Sequence, residues 1–175
     1  MKNLLQLACA FLIIAASFTA CQEEELDTTI YTPQGVAVSS SIEALTQTIA
    51  TRTQLNAEDI SVEILSFLEV SQGYIAEIAI YVPATNEHYK VYHMSQDNAD
   101  RLQHQGDLNV ATQAVSRSLG SRSNTLVASV TAYCSCGLNS FPSSGCTVSV
   151  TTHPDGSITG TCQVGSCGFG CVFHS

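Results

Sequence analysis

Six of the eight cysteines fall between Cys134 and Cys171, and none lies between Cys21 and Cys134. This lopsided use constrains the fold more than any other feature of the chain. The spacing is Cys134-x-Cys136, nine residues, Cys146, fifteen residues, Cys162, four residues, Cys167, three residues, Cys171. A segment this short cannot bury enough apolar surface unaided, so Cys134, Cys136, Cys146, Cys162, Cys167 and Cys171 are read as three disulfides. Each such bridge is typically worth about 2–5 kcal/mol.

Between Cys146 and Cys162 the run His153-Pro154-Asp155-Gly156-Ser157 is hairpin chemistry. Pro supplies a fixed φ, Asp a local hydrogen bond and Gly a positive φ. A three-residue loop sets His153 opposite Ser157, Val148 opposite Cys162 and Cys146 opposite Val164. One face of the ribbon then carries Cys146, Val148, Val150, Ile158, Cys162 and Val164. The other carries Thr147, Ser149, Thr151, Thr159, Thr161 and Gln163. Such a split suits a half-buried antiparallel pair. Cys146 and Cys162 become diagonal neighbours about 7–8 Å apart, beyond the usual disulfide reach. Each hairpin cysteine is therefore expected to bond outside the hairpin, to Cys134 or Cys136 on one side and Cys167 or Cys171 on the other. Cys134 and Cys136 share a face if extended, and are not expected to bond each other. Which of the fifteen pairings is used stays open.

The opposite end of the chain has a different character. Met1-Lys2-Asn3 is followed by an uncharged apolar run from Leu4 to Phe18, which is shorter than the roughly 20 residues of a membrane span. Charge, short apolar stretch and small residues make a secretory leader. The boundary Phe18-Thr19-Ala20-Cys21 resembles the lipobox of bacterial lipoproteins, with Phe where Leu is usual. The resemblance implies cleavage after Ala20 and a diacylglycerol thioether on Cys21. Gln22-Glu23-Glu24-Glu25-Leu26-Asp27 resembles the acidic export signal of surface lipoproteins of the Bacteroidota. Gln22 in place of Asp favours the outer membrane. The expected location is thus the outer membrane, lipid-anchored, on its periplasmic or cell-surface face. Asp27-Thr28-Thr29 resembles the short O-glycosylation motif of the same group, which points to Thr28. An exported chain meets an oxidising compartment, in keeping with the disulfide reading.

Loss of the leader leaves 155 of the 175 residues and makes the net charge of −9 one unit more negative. An acidic surface repels phosphate, so no nucleic-acid partner is expected. Residues 21–40 read as a lipidated tether because Pro33-Gln34-Gly35 and Ser39-Ser40-Ser41 are loop chemistry. Residues 41–124 read as an α+β domain. Ser41 is a helix N-cap, and Ile42, Leu45 and Ile49 give helical spacing to about Thr53. A strand from Ile60 to Val70 shifts phase at Leu65, which predicts a bulge. Ser71-Gln72-Gly73 turns the chain. Tyr74, Ala76, Ile78, Ile80 and Val82 fall on one face of a second strand, and His88 to Met94 returns as a third. A helix is expected over Asp107–Leu119, then a strand over Thr125–Tyr133. Residues 125–175 form the cysteine-rich β module. The fold class is α+β: a helix plus an antiparallel β-meander, followed by a small disulfide-rich hairpin module. Helix followed by meander resembles cystatin-like small binding folds, a likeness of fold that carries little about function.

Other chemistry is thinner. A metal site could draw on the thiolates with His153 and His174, but the paired Cys-x2-Cys of structural zinc is absent. Gly165-Ser166-Cys167-Gly168 has no Lys or Arg nearby to activate a thiol. His88, His93 and His104 are scattered. Glu63, Glu69 and Glu77 read as the wet face of the sheet. No Gly-x-Ser-x-Gly or His-Glu-x-x-His occurs. The expectation is a non-catalytic binding or structural module without cofactor or resident metal, its partners the membrane through the lipid and an extracellular protein or glycan. The alternatives are a thiol–disulfide enzyme built on Cys134-Ser135-Cys136, or a disulfide-stapled inhibitor or toxin-like effector.

Overall fold

Residues 28–70, 73–104 and 128–175 are described by a computed structural model. The leader, Cys21, Ser71, Gln72 and the span expected to hold a helix over Asp107–Leu119 lie outside the described residues. Those that are described form mostly antiparallel β-sheet with few helices, and the three disulfides gather in the C-terminal region.

The chain enters through a small hairpin, β1 (Ile30–Tyr31) and β2 (Ala37–Ser39). Its turn closes with Gly35 N–H donating to Thr32 O at 2.9 Å, and Thr32 Oγ1 accepts from Val36 N at 3.1 Å. Residues 28–40 are therefore structured within the span read as tether. The Pro-Gly chemistry makes a tight turn, and Val38 is buried under the helix.

Helix α1 (Ile42–Thr53) begins where Ser41, in extended conformation, accepts from Ala44 N–H at 3.1 Å. It ends where Gln54 adopts φ 58° and ψ 27° and its N–H bonds Ala50 O. Leu45, Ile49, Ala50 and Thr53 form the buried stripe. Four threonines would ordinarily weaken a helix. Here the hydroxyls of Thr46, Thr48, Thr51 and Thr53 each donate to the carbonyl four residues back, so none competes for other partners.

β3 (Ser61–Leu68), β4 (Ile75–Val82) and β5 (Glu87–Ser95) make an antiparallel meander. The register shifts between Ile64 and Ser66, leaving Leu65 as the half-exposed residue of the bulge. The β3–β4 connection returns through Gly73, at φ +70°, where a Cβ would lie 2.0 Å from Ser95 Oγ. No side chain fits there. A short helix α2 (Gln96–Ala99) and β6 (Leu102–His104) follow.

The cysteine-rich end does not stand apart. β7 (Ser129–Cys136) pairs with β5, and β10 (Cys171–His174) pairs with β7. The result is a five-stranded antiparallel sheet in the order β10-β7-β5-β4-β3. β8 (Cys146–Thr152) and β9 (Ile158–Val164) form the expected hairpin, with Val148 opposite Cys162 and Cys146 opposite Val164. β6 adds to β9 in parallel, giving a second sheet ordered β6-β9-β8.

The larger sheet is buried on both faces. One face packs Ala76, Ile78, Ile80, Val91 and Tyr133 against Leu45 and Ile49 of α1 and Val38 of the hairpin. The other packs Ile75, Tyr92, Met94, Ala132 and Phe173 against Val148, Val150 and Ile158 of the smaller sheet. Two-sided burial breaks simple alternation, which is why Ile75 is buried although it lies opposite the face shared by Tyr74, Ala76, Ile78, Ile80 and Val82. Gly160 is the contact point between the sheets. A Cβ there would sit 2.5 Å from the Phe173 ring, so the missing side chain is the slot the ring fills.

Candidate functional site

The bridges are Cys134–Cys162, Cys136–Cys167 and Cys146–Cys171, with Cα–Cα distances of 5.8, 5.6 and 5.8 Å. Each hairpin cysteine leaves the hairpin, and Cys134 and Cys136 bond different partners. Cys134–Cys162 joins β7 to β9 and Cys146–Cys171 joins β8 to β10, so both tie the two sheets together, while Cys136–Cys167 anchors the loop at residues 165–170 to the end of β7. Gly137 N–H donates to Gly170 O at 3.0 Å, and Gly165 N–H to Gly145 O at 2.9 Å. The sulfurs of Cys136, Cys146 and Cys167 lie within 4.8 Å of one another because two bridges run side by side. Oxidised sulfurs are not the thiolates a zinc site needs.

At the other end of the smaller sheet, the hairpin tip borders a pocket of about 440 Å³. The tip is fixed by its own hydrogen bonds. His153 N–H donates to Ser157 O and Gly156 N–H to His153 O, both at 2.9 Å. Asp155 Oδ1 accepts from Ser157 N–H at 2.9 Å and from Ser157 Oγ at 2.6 Å. The Ser157 hydroxyl, and then its backbone N–H, hold the Asp155 carboxyl below the usual range. His153 Nε2 pairs with Thr159 Oγ1 at 2.8 Å. The facing wall comes from Glu69 and Val70 after β3, Asn98 of α2 and Arg101. Arg101 also anchors the tip through its backbone, accepting from Ile158 N–H at 3.4 Å. Carboxylate, guanidinium and imidazole residues thus line the pocket together with Val70, Pro154 and Ile158, while the Asn98 amide is buried and donates to Tyr74 O at 3.2 Å and Ser95 Oγ at 2.9 Å. That mixture suits a polar, hydroxyl-bearing ligand held in fixed orientation.

The remaining candidate residues are dispersed. His93 is 1% exposed, with Nδ1 3.0 Å from Thr131 Oγ1 and its ring 5.8 Å from that of Tyr74. Burial, and secondarily Arg52, push it down to about 4, so the imidazole is neutral and sealed from solvent. His88 stacks on Tyr81 at 4.6 Å. Glu77 pairs with Lys90, an interaction that lowers the carboxyl, while Ser66 Oγ also donates to it at 3.0 Å. Glu69 reaches the pocket; Glu63 is exposed on β3. Exposed Thr28 donates to Ser40 O at 2.9 Å.

Sequence reasoning missed one pair. Ser135 Oγ lies 2.7 Å from His174 Nε2, and that ring stacks on Tyr133 at 4.8 Å. The β7–β10 register, which sets Tyr133 against His174, brings them together. The geometry is that of a nucleophile and base, yet Ser135 is fully buried and no substrate carbonyl can reach it. The pair ties the C-terminal strand to β7. Arg101 and Asn98 were also missed, since nothing in their local sequence marks them.

Among the described residues no helix is long and apolar enough to cross a membrane. No family model, no curated protein and no solved structure matches this chain.

Proposed function

We propose that this chain is a lipid-anchored extracytoplasmic module that binds without catalysis. Its ligand is a hydroxyl-rich molecule, a glycan or a glycan-bearing extracellular protein, taken at the hairpin-tip pocket. The observation that carries this reading is that Glu69, Arg101, His153 and Asp155 line one pocket together with Val70 and Pro154. Cys21 is the proposed lipid site, the outer membrane the proposed location, and Thr28 a proposed glycosylation site. The bridged state of Cys134 and Cys136, each bonded to a different distant cysteine, supports a structural role for them over a dithiol enzyme. The shared core of the two sheets supports one binding body over a detachable effector.

Two measurements test the reading. Intact mass of the membrane-extracted protein should show loss of residues 1–20 and a diacylglycerol adduct on Cys21. A full-length, unacylated chain would remove the anchor. Glycan-array binding should be lost in Asp155→Ala and Arg101→Ala. Unchanged array signal in both variants would move the site elsewhere.

A further inference from the structure

The geometry points to a second membrane contact, in which the disulfide-stapled loops insert apolar side chains into the interface of a zwitterionic bilayer. This goes beyond the pocket and does not depend on the lipid at Cys21. Leu138 is 101% exposed and Phe169 88%, at the tips of the loops at residues 137–145 and 165–170. Phe141 and Val164 flank them, also exposed. Side chains of this size normally find cover when they gather. The two tips are neighbours: a Cβ on Gly137 would lie 3.3 Å from Phe169 Cβ. Cys136–Cys167 joins the loops covalently, and Cys146–Cys171 lies beside that bridge. They are thus presented rigidly, so inserting them orders little that is not already ordered.

Charge favours a lipid surface as the occupant. The protein carries a net charge of −9, yet the stretches at residues 134–154 and 156–175 contain no Asp, Glu, Lys or Arg. Desolvating these tips costs no buried charge. The Glu87 carboxylate accepts from Ser144 Oγ at 3.5 Å and is also bound by Thr85 and Tyr89. It marks the wet edge of these loops and would be repelled by anionic headgroups. Leu138, Phe141 and Phe169 are interspersed with Gly, Ser and Asn along their loops, which suits insertion into a fluid layer better than docking on a matched protein face. The backbone of such loops must stay hydrated, so penetration stops about 5–10 Å deep, at the boundary of headgroups and acyl chains. The hairpin tip lies at the far end of β8 and β9, each seven residues or about 20 Å long. With the loops in the bilayer, the pocket faces away from it.

The protein contains no Trp, which makes a single introduced Trp a clean reporter. Leu138→Trp and Phe169→Trp, with Thr151→Trp as a control near the far end, would each be made in the full chain. Each purified protein is then mixed with phosphatidylcholine vesicles whose acyl chains are brominated. The expected result is blue-shifted, quenched emission for positions 138 and 169 and unchanged emission for 151. Leu138→Ser in the Phe169→Trp background should lower insertion about tenfold, the effect of withdrawing one large aliphatic side chain. Added phosphatidylglycerol should weaken it further. Solvent-like emission at both tips in the presence of vesicles overturns the inference. So does a blue shift without vesicles: one that grows with protein concentration assigns the surface to a second copy, and one already complete at high dilution assigns it to the chain's own remaining residues.

Discussion

Acidification should destabilise this protein through His93. The imidazole sits between β5 and β7 beneath α1, where burial outweighs every other influence and Arg52 adds repulsion. In the folded chain it titrates near 4, whereas in the unfolded chain it takes up a proton near 6.5. Above pH 6.5 both states are neutral and the full stability is present. Between 6.5 and about 4 only the unfolded state binds the proton, so stability falls by about 1.4 kcal/mol per pH unit. The limit of that loss is about 3 kcal/mol, a large share of a small domain's stability. Urea unfolding followed by far-ultraviolet circular dichroism at pH 7.5, 6.5, 5.5 and 4.5 measures it, with disulfides intact. His93→Gln keeps a polar partner for Thr131 and cannot titrate. Its stability should be lower at neutral pH but flatter with acidification, and the difference between the two profiles isolates His93. His174, whose pKa burial also lowers, contributes equally to both proteins and cancels. Parallel profiles from pH 7.5 to 4.5, or an imidazole resonance of His93 titrating near 6.5, would refute the reasoning.

Two further outcomes follow from the packing of the sheets. Gly160→Ala forces a Cβ against the Phe173 ring and should cost about 1–3 kcal/mol, and Phe173→Leu in the same chain should return part of it. Equal urea midpoints for Gly160→Ala and the parent chain would show that the slot is not filled. Replacing Cys146 and Cys171 together by Ala opens a bridge spanning 25 residues and should cost about 3 kcal/mol, read as a lower denaturation midpoint. An unchanged midpoint would mean that this bridge constrains nothing the other two leave free.

Local signals in the sequence settled the local structure. Ser41 marked the start of α1 because a hydroxyl in extended conformation can cap a free N–H of the first turn, and the structure places it there. The phase shift at Leu65 marked the bulge, and His153 to Ser157 marked a hairpin whose register followed from loop length alone. That register, with the limited reach of a disulfide, sent Cys146 and Cys162 to partners outside the hairpin. What stayed hidden depends on elements far apart in the chain. Nothing near Ser129 announces that β7 will pair with β5 and bind the cysteine-rich end into the sheet of the middle region. The choice among disulfide pairings, the slot at Gly160 for Phe173, and the placing of Asn98, Arg101 and Asp155 around one pocket depend in the same way on long-range packing. Hydrogen bonds of caps and turns reach only a few residues, so a short window contains their causes. Sheet order and pocket walls are chosen by which apolar faces can bury each other, and that comparison exists only once the whole chain has collapsed.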